Sequence, residues 1–378
     1  MRFLTAGESH GEGLLAIVEG FPKGVKIDKS KIDYELNRRK LGFGRGDRMS
    51  IESDSVEFIS GLRKGITLGS PIAMLIKNKD IKIFPFKEDN LEVLSIPRPA
   101  HADLSGALKY QEYDLRNILE RASARETISR VCVGALCKQF LSNFNIKIAS
   151  FTISVGEVES KIKPRNVEDI IKNTKNSLLN CIDKKTEKLM INKIKEAKEK
   201  KDTLGGIIEV WIENVPVGLG SFMHFDKRLD ARLAFYLVSI PSIKGIEFGL
   251  GFEYAKNFGS LVHDKIYYKK GFGFFHKTNN SGGIEGGIST GEPIVIRLAA
   301  KPIATLTSPL KSVDLIDKKK KPAIVERSDT CVVYSIGVIA ENLCAIVITE
   351  VFLEKFASDT LVGISENYNN YIKKLKKF

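Results

Sequence analysis

The segment Gly61-Leu-Arg-Lys-Gly-Ile-Thr-Leu-Gly-Ser-Pro-Ile72 returns later in the chain as Gly283-Ile-Glu-Gly-Gly-Ile-Ser-Thr-Gly-Glu-Pro-Ile294, with six of the twelve positions identical. Each copy runs into a short apolar stretch, Ala73 to Ile76 and Val295 to Leu298, with the length and bounding turns of a strand. Fainter echoes keep the same order. Ile17-Val-Glu-Gly-Phe-Pro-Lys-Gly24 resembles Trp211-Ile-Glu-Asn-Val-Pro-Val-Gly218; each reads as a strand closed by a proline turn, then an amphipathic helix (Asp33 to Arg39, Asp230 to Val238). Arg121-Ala-Ser123 and Arg327-Ser-Asp329 each precede a long apolar-faced helix. Glycine and proline turns can look alike by chance, but the shared order favours an internal duplication. Two similar halves are therefore expected, about residues 1–145 and 205–355, related by a pseudo-twofold axis and forming one catalytic domain, 1–355. Residues 155–204, with the solvated stretch Lys193 to Asp202, read as a peripheral insertion. Residues 356–378 are polar and rich in lysine and asparagine, a tail expected to fray.

A chain of 378 residues, 43% of them hydrophobic, can bury a large core without a disulfide or metal staple. It has no long uncharged apolar run, which argues against a transmembrane helix. The five cysteines are odd in number, lack a C-x-x-C pair and show no zinc-ligand spacing, which suits a reducing compartment. The N-terminus has an acid at Glu8 and no hydrophobic signal core, so a cytoplasmic protein is expected.

The net charge of +13 admits nucleic acid, acidic lipid or a small anion as partner. Its distribution is more telling. Of the 59 basic residues 43 are lysines, crowded into Lys184 to Lys201, Lys318 to Lys321 and the C-terminus. Of the 16 arginines more than half fall elsewhere, between Arg38 and Arg116 or from Arg121 to Arg130. Arg38-Arg-Lys-Leu-Gly-Phe-Gly-Arg45-Gly-Asp-Arg48 sets four arginines on a glycine-rich loop, in a chain with lysine to spare. That choice points to planar, bidentate recognition of carboxylate or phosphate. An RNA-binding loop is the competitor, without the aromatic interleaving such loops use.

Other candidates follow along the chain. Gly7-Glu-Ser-His-Gly11 flanks His10 with glycines, and histidine can donate or accept a proton near neutrality. In Arg98-Pro-Ala-His101-Ala-Asp103, Asp103 can orient His101, which would then suit protonation of a leaving group. Ser123 and Glu126 form an S-x-x-E capping box for a helix over 123–141, whose apolar positions Ile128, Val131, Cys132, Ala135, Leu136 and Phe140 face a core. Its N-terminal end, with Arg121 and Arg125, suits an anion. Glu326-Arg-Ser-Asp329 precedes a second apolar helix, where Asp329 can act as a base; a helix cap with a salt bridge is the alternative. His224, His263 and His276 have no such setting and read as structural.

Taken in order, Gly-Glu-Ser-His-Gly, Arg-Pro-x-His-Ala-Asp, Arg-Ala-Ser-Ala-Arg-Glu-Thr, Ser-Gly-Gly-Ile-Glu-Gly-Gly-Ile-Ser and Arg-Ser-Asp closely resemble the chorismate synthase family over about residues 1–355. Ala100 stands where that family commonly has glycine, Thr330 follows Arg-Ser-Asp, and Pro241-Ser242 stand where an amide residue and alanine are frequent. The resemblance implies an α+β fold, a β-α-β sandwich with helices between antiparallel sheets and two pseudo-symmetric halves, assembled as a homotetramer. It implies 1,4-anti elimination of phosphate from 5-enolpyruvylshikimate 3-phosphate to give chorismate, with reduced FMN (FMNH2) as cofactor and no net redox change. By similarity His10 protonates reduced flavin, His101 assists the departing phosphate or the flavin, and Asp329 assists proton removal through flavin N5. Ser9, Arg39, Arg45, Arg48, Ser123, Arg125 and Arg327 would bind substrate, with a nucleotide contact (NADP) at Arg39 and Arg45 left open. FMN would contact Arg121, Ala122, Ser123, Ser242, Gly286, Lys301, Pro302, Ile303, Ala304, Thr305 and Arg327. No Rossmann G-x-G-x-x-G and no added reductase module is present, so an external flavin reductase is expected to supply the reduced cofactor. No metal, nucleic acid or membrane partner is expected. A flavin oxidoreductase with net turnover of its cofactor and a basic nucleic-acid-binding protein remain as alternatives.

Overall fold

Residues 1–46, 54–86, 91–326 and 329–378 are described in a computed structural model of the chain. Two antiparallel sheets form its outer layers. The first contains β1 (Arg2–Ala6), β2 (Gly13–Glu19), β3 (Glu57–Phe58) and β4 (Ile72–Lys77), in the spatial order β1-β2-β4-β3. The second contains β5 (Lys147–Val155), β6 (Val158–Glu159), β7 (Gly206–Glu213), β8 (Ile243–Phe248) and β9 (Ile294–Ala300), in the order β8-β9-β7-β5-β6. Setting aside the short edge strand β6, the two sheets share one topology. In each the chain lays down two neighbours, then an edge strand, then the strand that fills the gap between.

The repeated twelve-residue segments are the hairpins that lead into the gap-filling strands β4 and β9, with Leu62 paired to Thr67 in one and Ile284 to Ser289 in the other. Their first glycines explain the repeat. Gly61 and Gly283 have φ of +90° and +78°, and a Cβ there would come within 2.6 Å of the Ile72 Cα or 2.5 Å of the Pro293 carbonyl oxygen. Only glycine meets both demands. Beyond the hairpins, alternation sends Leu14, Ala16 and Val18 of β2, and Ile294, Ile296 and Leu298 of β9, to the inner faces.

The helices between and around the sheets are α1 (Lys29–Lys40), α2 (Asp103–Tyr110), α3 (Arg116–Ala122), α4 (Thr127–Ser142), α5 (Val167–Thr174), α6 (Lys184–Glu199), α7 (Leu229–Val238), α8 (Val333–Lys355) and α9 (Leu361–Leu375). α4 packs on β2 and β4, α8 packs on β5 and β7, and the two helices pack on each other. Gly134 permits that approach, since a Cβ there would lie 2.4 Å from the Asn342 carbonyl oxygen. α8 is long and apolar enough to cross a membrane, but 89% of its most apolar window is buried inside the fold. A helix apolar on all sides belongs in a core of this kind.

The structure differs from the sequence reading at four places. The second sheet begins at Lys147, so the second half starts well before residue 205, and the lysine-rich segment is inserted after its first hairpin. That segment is more than peripheral. Met190, Ile194 and Ala197 of α6 turn inward, Phe43 N–H donates to the Leu178 carbonyl at 2.9 Å, and the Ile194 side chain packs against Gly44. Residues 361–375 form a helix, not a frayed tail, because Ile364, Tyr368 and Tyr371 share one face and pack on the core, while Leu361 N–H bonds the Lys23 carbonyl. Finally, Ser123 caps a single 3₁₀ turn, Ala124–Glu126, before α4 begins, and the Glu126 carboxylate pairs with Arg130 at 2.8 Å rather than closing a capping box.

The helical layers are bound by one buried charge cluster. Glu341 of α8, 1% exposed, receives both Arg38 Nη atoms from α1 at 2.8 and 2.9 Å. It also accepts from Lys138 Nζ of α4 at 2.7 Å, and from the Ser150 N–H and hydroxyl of β5 at 3.0 and 2.7 Å. Glu35 adds a second carboxylate, bonded by Lys138 at 2.8 Å and by Asn342 at 2.9 Å. Burial opposes ionisation of the Glu341 carboxyl, but Arg38 and Lys138 outweigh it and hold the carboxyl well below the usual range. Its stabilisation is therefore complete above the unfolded carboxyl range, about pH 4, and is lost as pH falls below that. Glu341→Gln, which leaves Arg38 and Lys138 to share the single Glu35 carboxylate, is expected to lower stability by about 3 kcal/mol in urea unfolding at pH 7. An unchanged midpoint would show that the cluster does not bind the layers.

Candidate active site

A cavity of about 420 Å³ opens between the halves, where the starts of α4 and α8 meet. It collects residues that lie far apart in the chain. The β1–β2 loop brings Ser9 and His10, the end of α1 and its following loop bring Arg39 and Arg45, and the segment before α2 brings Arg98, Ala100 and His101. Ala122, Ser123 and Arg125 arrive with the α4 start; Asp329 stands before α8; Ser242, Lys301, Ile303, Ala304 and Thr305 close the second side. The N-termini of both long helices thus point partial positive charge toward one space.

Three guanidinium groups are buried beside it. Arg125 pairs with Asp54 at 2.8 Å and donates to Asn78 Oδ1 from Nε and Nη2 at 3.1 and 2.9 Å. Arg45 pairs with Asp329 Oδ2 at 3.0 Å, and Asp329 Oδ1 accepts the Gly46 N–H at 2.6 Å. Arg39 donates to Thr127 Oγ1 and the Ala124 carbonyl, both at 3.0 Å, while its Nη1 is buried with no hydrogen-bond partner among the described residues. Burial pulls the Arg39 pKa down to about 10; Asp54 opposes that, and Arg125 and Arg45 add to it. Losing charge stability is rare for arginine, and an orphaned buried donor is costly. An anion at Nη1 removes both penalties.

The two histidines on the cavity wall each rest on a buried carboxylate. His101 Nδ1 lies 2.5 Å from Asp103 Oδ1, and Arg98 locks that carboxylate through its backbone N–H, Nε and Nη2 at 3.0, 2.8 and 3.1 Å. Burial disfavours the Asp103 anion, but the hydrogen bonds from His101 and Arg98 prevail and keep it ionised to well below the usual range. Arg98 further donates to Thr305 Oγ1 at 3.1 Å, linking this histidine to the second half. His10 Nδ1 lies 2.7 Å from Glu120 of α3. The hydroxyls of Ser9 and Ser123 meet at 3.1 Å between the two histidine segments.

The opposite wall is apolar, built from Leu119, Ile240, Ile303, Val332, Ile336 and Ile339. Such a surface beside buried cations suits a flat conjugated ring carrying an anionic tail, so the residues present fit a flavin mononucleotide. Lys301 Nζ donates to the Ala100 carbonyl at 2.9 Å, and burial, then Lys244, lowers its pKa. Ala100 holds φ of +63°, the conformation for which glycine is the natural residue.

Some expected site residues are not gathered here. Arg121 spends its guanidinium on the Thr5 and Gly7 carbonyls at 3.0 and 2.9 Å, holding the loop that carries His10. Gly286 sits at the tip of the second hairpin, and Pro302 is outside the lining. Arg48 and Arg327 lie outside the described residues. Conversely, Glu120, Asp54 and Asn78 were not singled out from sequence, and Ile336 and Ile339 of α8 read there only as apolar helix positions. The isoleucines had a signal, their helical spacing next to Arg-Ser-Asp; the polar partners had none.

Fold and site together define an α+β sandwich with an arginine-lined cavity flanked by two carboxylate-held imidazoles. Residues 1–353 match the family model for chorismate synthase, and the chain belongs to that family. The chorismate synthase of Caldanaerobacter subterraneus subsp. tengcongensis is 48% identical over 378 residues, covering 100% of both chains. That of Aquifex aeolicus is 47% identical over 393 residues, covering 100% of this chain and 99% of its own. A solved structure, "Crystal Structure of Chorismate Synthase", superposes with a TM-score of 0.83 at 41% identity, covering 100% of this chain and 98% of its own. The family's activity is that of a carbon–oxygen lyase of the shikimate pathway, and flavin is its cofactor class.

Inorganic phosphate is expected to raise the unfolding temperature, each tenfold excess over its dissociation constant adding about 1.4 kcal/mol. Arg39→Met removes most of that response; an undiminished response would place the anion elsewhere. Ala100→Gly is expected to stabilise the fold by up to about 1 kcal/mol in the same measurement, since the relieved left-handed strain exceeds the added backbone entropy of the unfolded chain.

Proposed function

We propose that this chain converts 5-enolpyruvylshikimate 3-phosphate to chorismate and phosphate by 1,4-anti elimination, with reduced FMN as cofactor. The observation that carries this is the buried arginine cluster with its orphaned Arg39 donor, set between two carboxylate-held histidines. The substrate brings one phosphate and two carboxylates, and burying such charge requires matched cations. Arg39, Arg45 and Arg125 would hold those anions, with Ser9 and Ser123 as hydroxyl donors; Arg48 and Arg327 would join them. Asp103 and Arg98 keep His101 fixed by Nδ1, so Nε2 is the nitrogen that would deliver a proton to the leaving phosphate. Asp329, held as an acceptor by Arg45 and the Gly46 N–H, would assist removal of the C6 proton.

Ala122, Ser123, Lys301, Ile303, Ala304 and Thr305 would hold the flavin against the isoleucine wall, with Pro302, Arg327, Arg121, Gly286 and Ser242 as further contacts. Ser242 already fixes this segment, because its carbonyl accepts the Lys301 N–H at 2.9 Å. Reduced FMN, when bound, supplies electron density transiently as phosphate departs, and the overall reaction is redox-neutral. An external flavin reductase would keep it reduced. A homotetramer is supported by broad apolar exposure at Phe222, Met223, Phe225, Phe252, Phe258 and Leu261. The five buried free thiols suit a cytoplasmic setting.

The test is an anaerobic assay of the purified protein with reduced FMN and enolpyruvylshikimate phosphate. Phosphate and chorismate are expected in equal amounts with no flavin consumed, and an absence of product would sink the assignment. His101→Ala is expected to lower kcat by about 100-fold or more with little change in KM. Arg45→Ala is expected to raise KM chiefly, and the reverse pattern would exchange the two roles.

A further inference from the structure

His10 is fixed through its backbone as well as its ring. Its N–H donates to Glu120 Oε2 at 2.7 Å, its carbonyl accepts from the N–H groups of Lys82 and Ile83 at 2.8 and 3.1 Å, and Nδ1 lies 2.7 Å from Glu120 Oε1. Glu120 is 5% exposed, and both of its oxygens are used by His10. On the far side of the ring, Asp80 Oδ2 lies 3.9 Å from Nε2, beyond hydrogen-bonding distance, and pairs with Lys82 at 3.3 Å.

We propose that Glu120 is a positioning residue for the elimination, acting through His10: it holds the imidazole as the Nδ1–H tautomer and leaves Nε2 as the nitrogen that exchanges a proton. The inference rests on the proposed lyase reading and on the role the family resemblance gives His10, protonation of the reduced flavin. A backbone N–H can only donate, so it takes one carboxylate oxygen. A carboxylate can only accept, so the nitrogen facing the other oxygen must carry hydrogen. The tautomer is thereby dictated by the two contacts together. The negative charge also stabilises the imidazolium while His10 holds a second proton. His101 reaches the same Nδ1-on-carboxylate geometry with Asp103, two residues away, whereas Glu120 comes from a helix 110 residues on. Two unrelated routes to one arrangement on one cavity wall point to a chemical demand rather than a packing accident.

Glu120→Gln tests the idea because it keeps the shape but offers one acceptor to two donors. The His10 N–H keeps the amide oxygen, the amide NH₂ then faces Nδ1, and the ring must turn over to Nε2–H. In ¹⁵N spectra of the full-length protein, His10 is expected as Nδ1–H in the wild type and Nε2–H in Glu120→Gln. In the anaerobic assay kcat is expected to fall about 100-fold with KM nearly unchanged. The His10→Ala, Glu120→Gln double variant should be no slower than His10→Ala alone, and Glu120→Asp, which keeps both acceptors, should recover part of the lost kcat. An unchanged tautomer, an unchanged kcat, or losses that multiply in the double variant would overturn the role. If the wild type lacks lyase activity, the function reading fails, while the tautomer still reports independently on Glu120.

Discussion

A single buried carboxylate sets where the catalytic groups can be. Removing the Glu341 charge from water costs several kcal/mol unless it is fully paired, and full pairing needs Arg38, Lys138 and Ser150 together. Those partners lie on α1, α4 and β5, and Glu341 itself lies on α8. The same helices deliver the cavity's charges. Arg39 follows Arg38 on α1, Arg125 stands just before α4, and Asp329 just before α8. A slip of any one helix along its axis would unpair the buried carboxylate and scatter the arginines at once.

Arg38 and Arg39 are adjacent, the first half-buried and the second buried, and opposite in consequence. Burial works against both charges, but Glu341 and Glu35 more than compensate Arg38 and raise its pKa well above normal. Among the described residues Arg39 has no carboxylate in direct contact and keeps an unused donor. The Arg38 charge is spent on the scaffold, whereas the Arg39 donor is left for a ligand. This difference, rather than arginine content, sets the two neighbouring arginines apart.

The parts of the fold that were legible in sequence are those governed by local constraint. The repeated segments could be read because glycines such as Gly61 and Gly283 are forced by sterics, and the strands after them because each is a short apolar run bounded by turns. His101 with Asp103 was legible because two residues separate them. Glu120 and Glu341 were not, since their partners sit 110 and 303 residues away and a carboxylate in a polar-looking stretch carries no mark of its eventual burial. The start of the second half was missed because β5 is cut off from β7 by the lysine-rich insertion. α9 shows the limit of composition: its lysines and asparagines hid a stripe of Ile364, Tyr368 and Tyr371.

Equal topology in the two halves has produced unequal corners. The first half contributes both histidines, their carboxylates and the three buried guanidiniums. The second contributes Asp329, Lys301 to Thr305 and the isoleucine wall. An anti elimination sends its leaving group and its proton to opposite faces of the substrate ring, so proton donor and base must not share a wall. A duplicated scaffold meets that demand simply, because each copy can specialise its own helix start while the buried Glu341 cluster keeps the two copies in register. Arg45 to Asp329 is a direct bridge across the cavity, and it would keep the proposed base in place, next to the cations that would hold the substrate's anions.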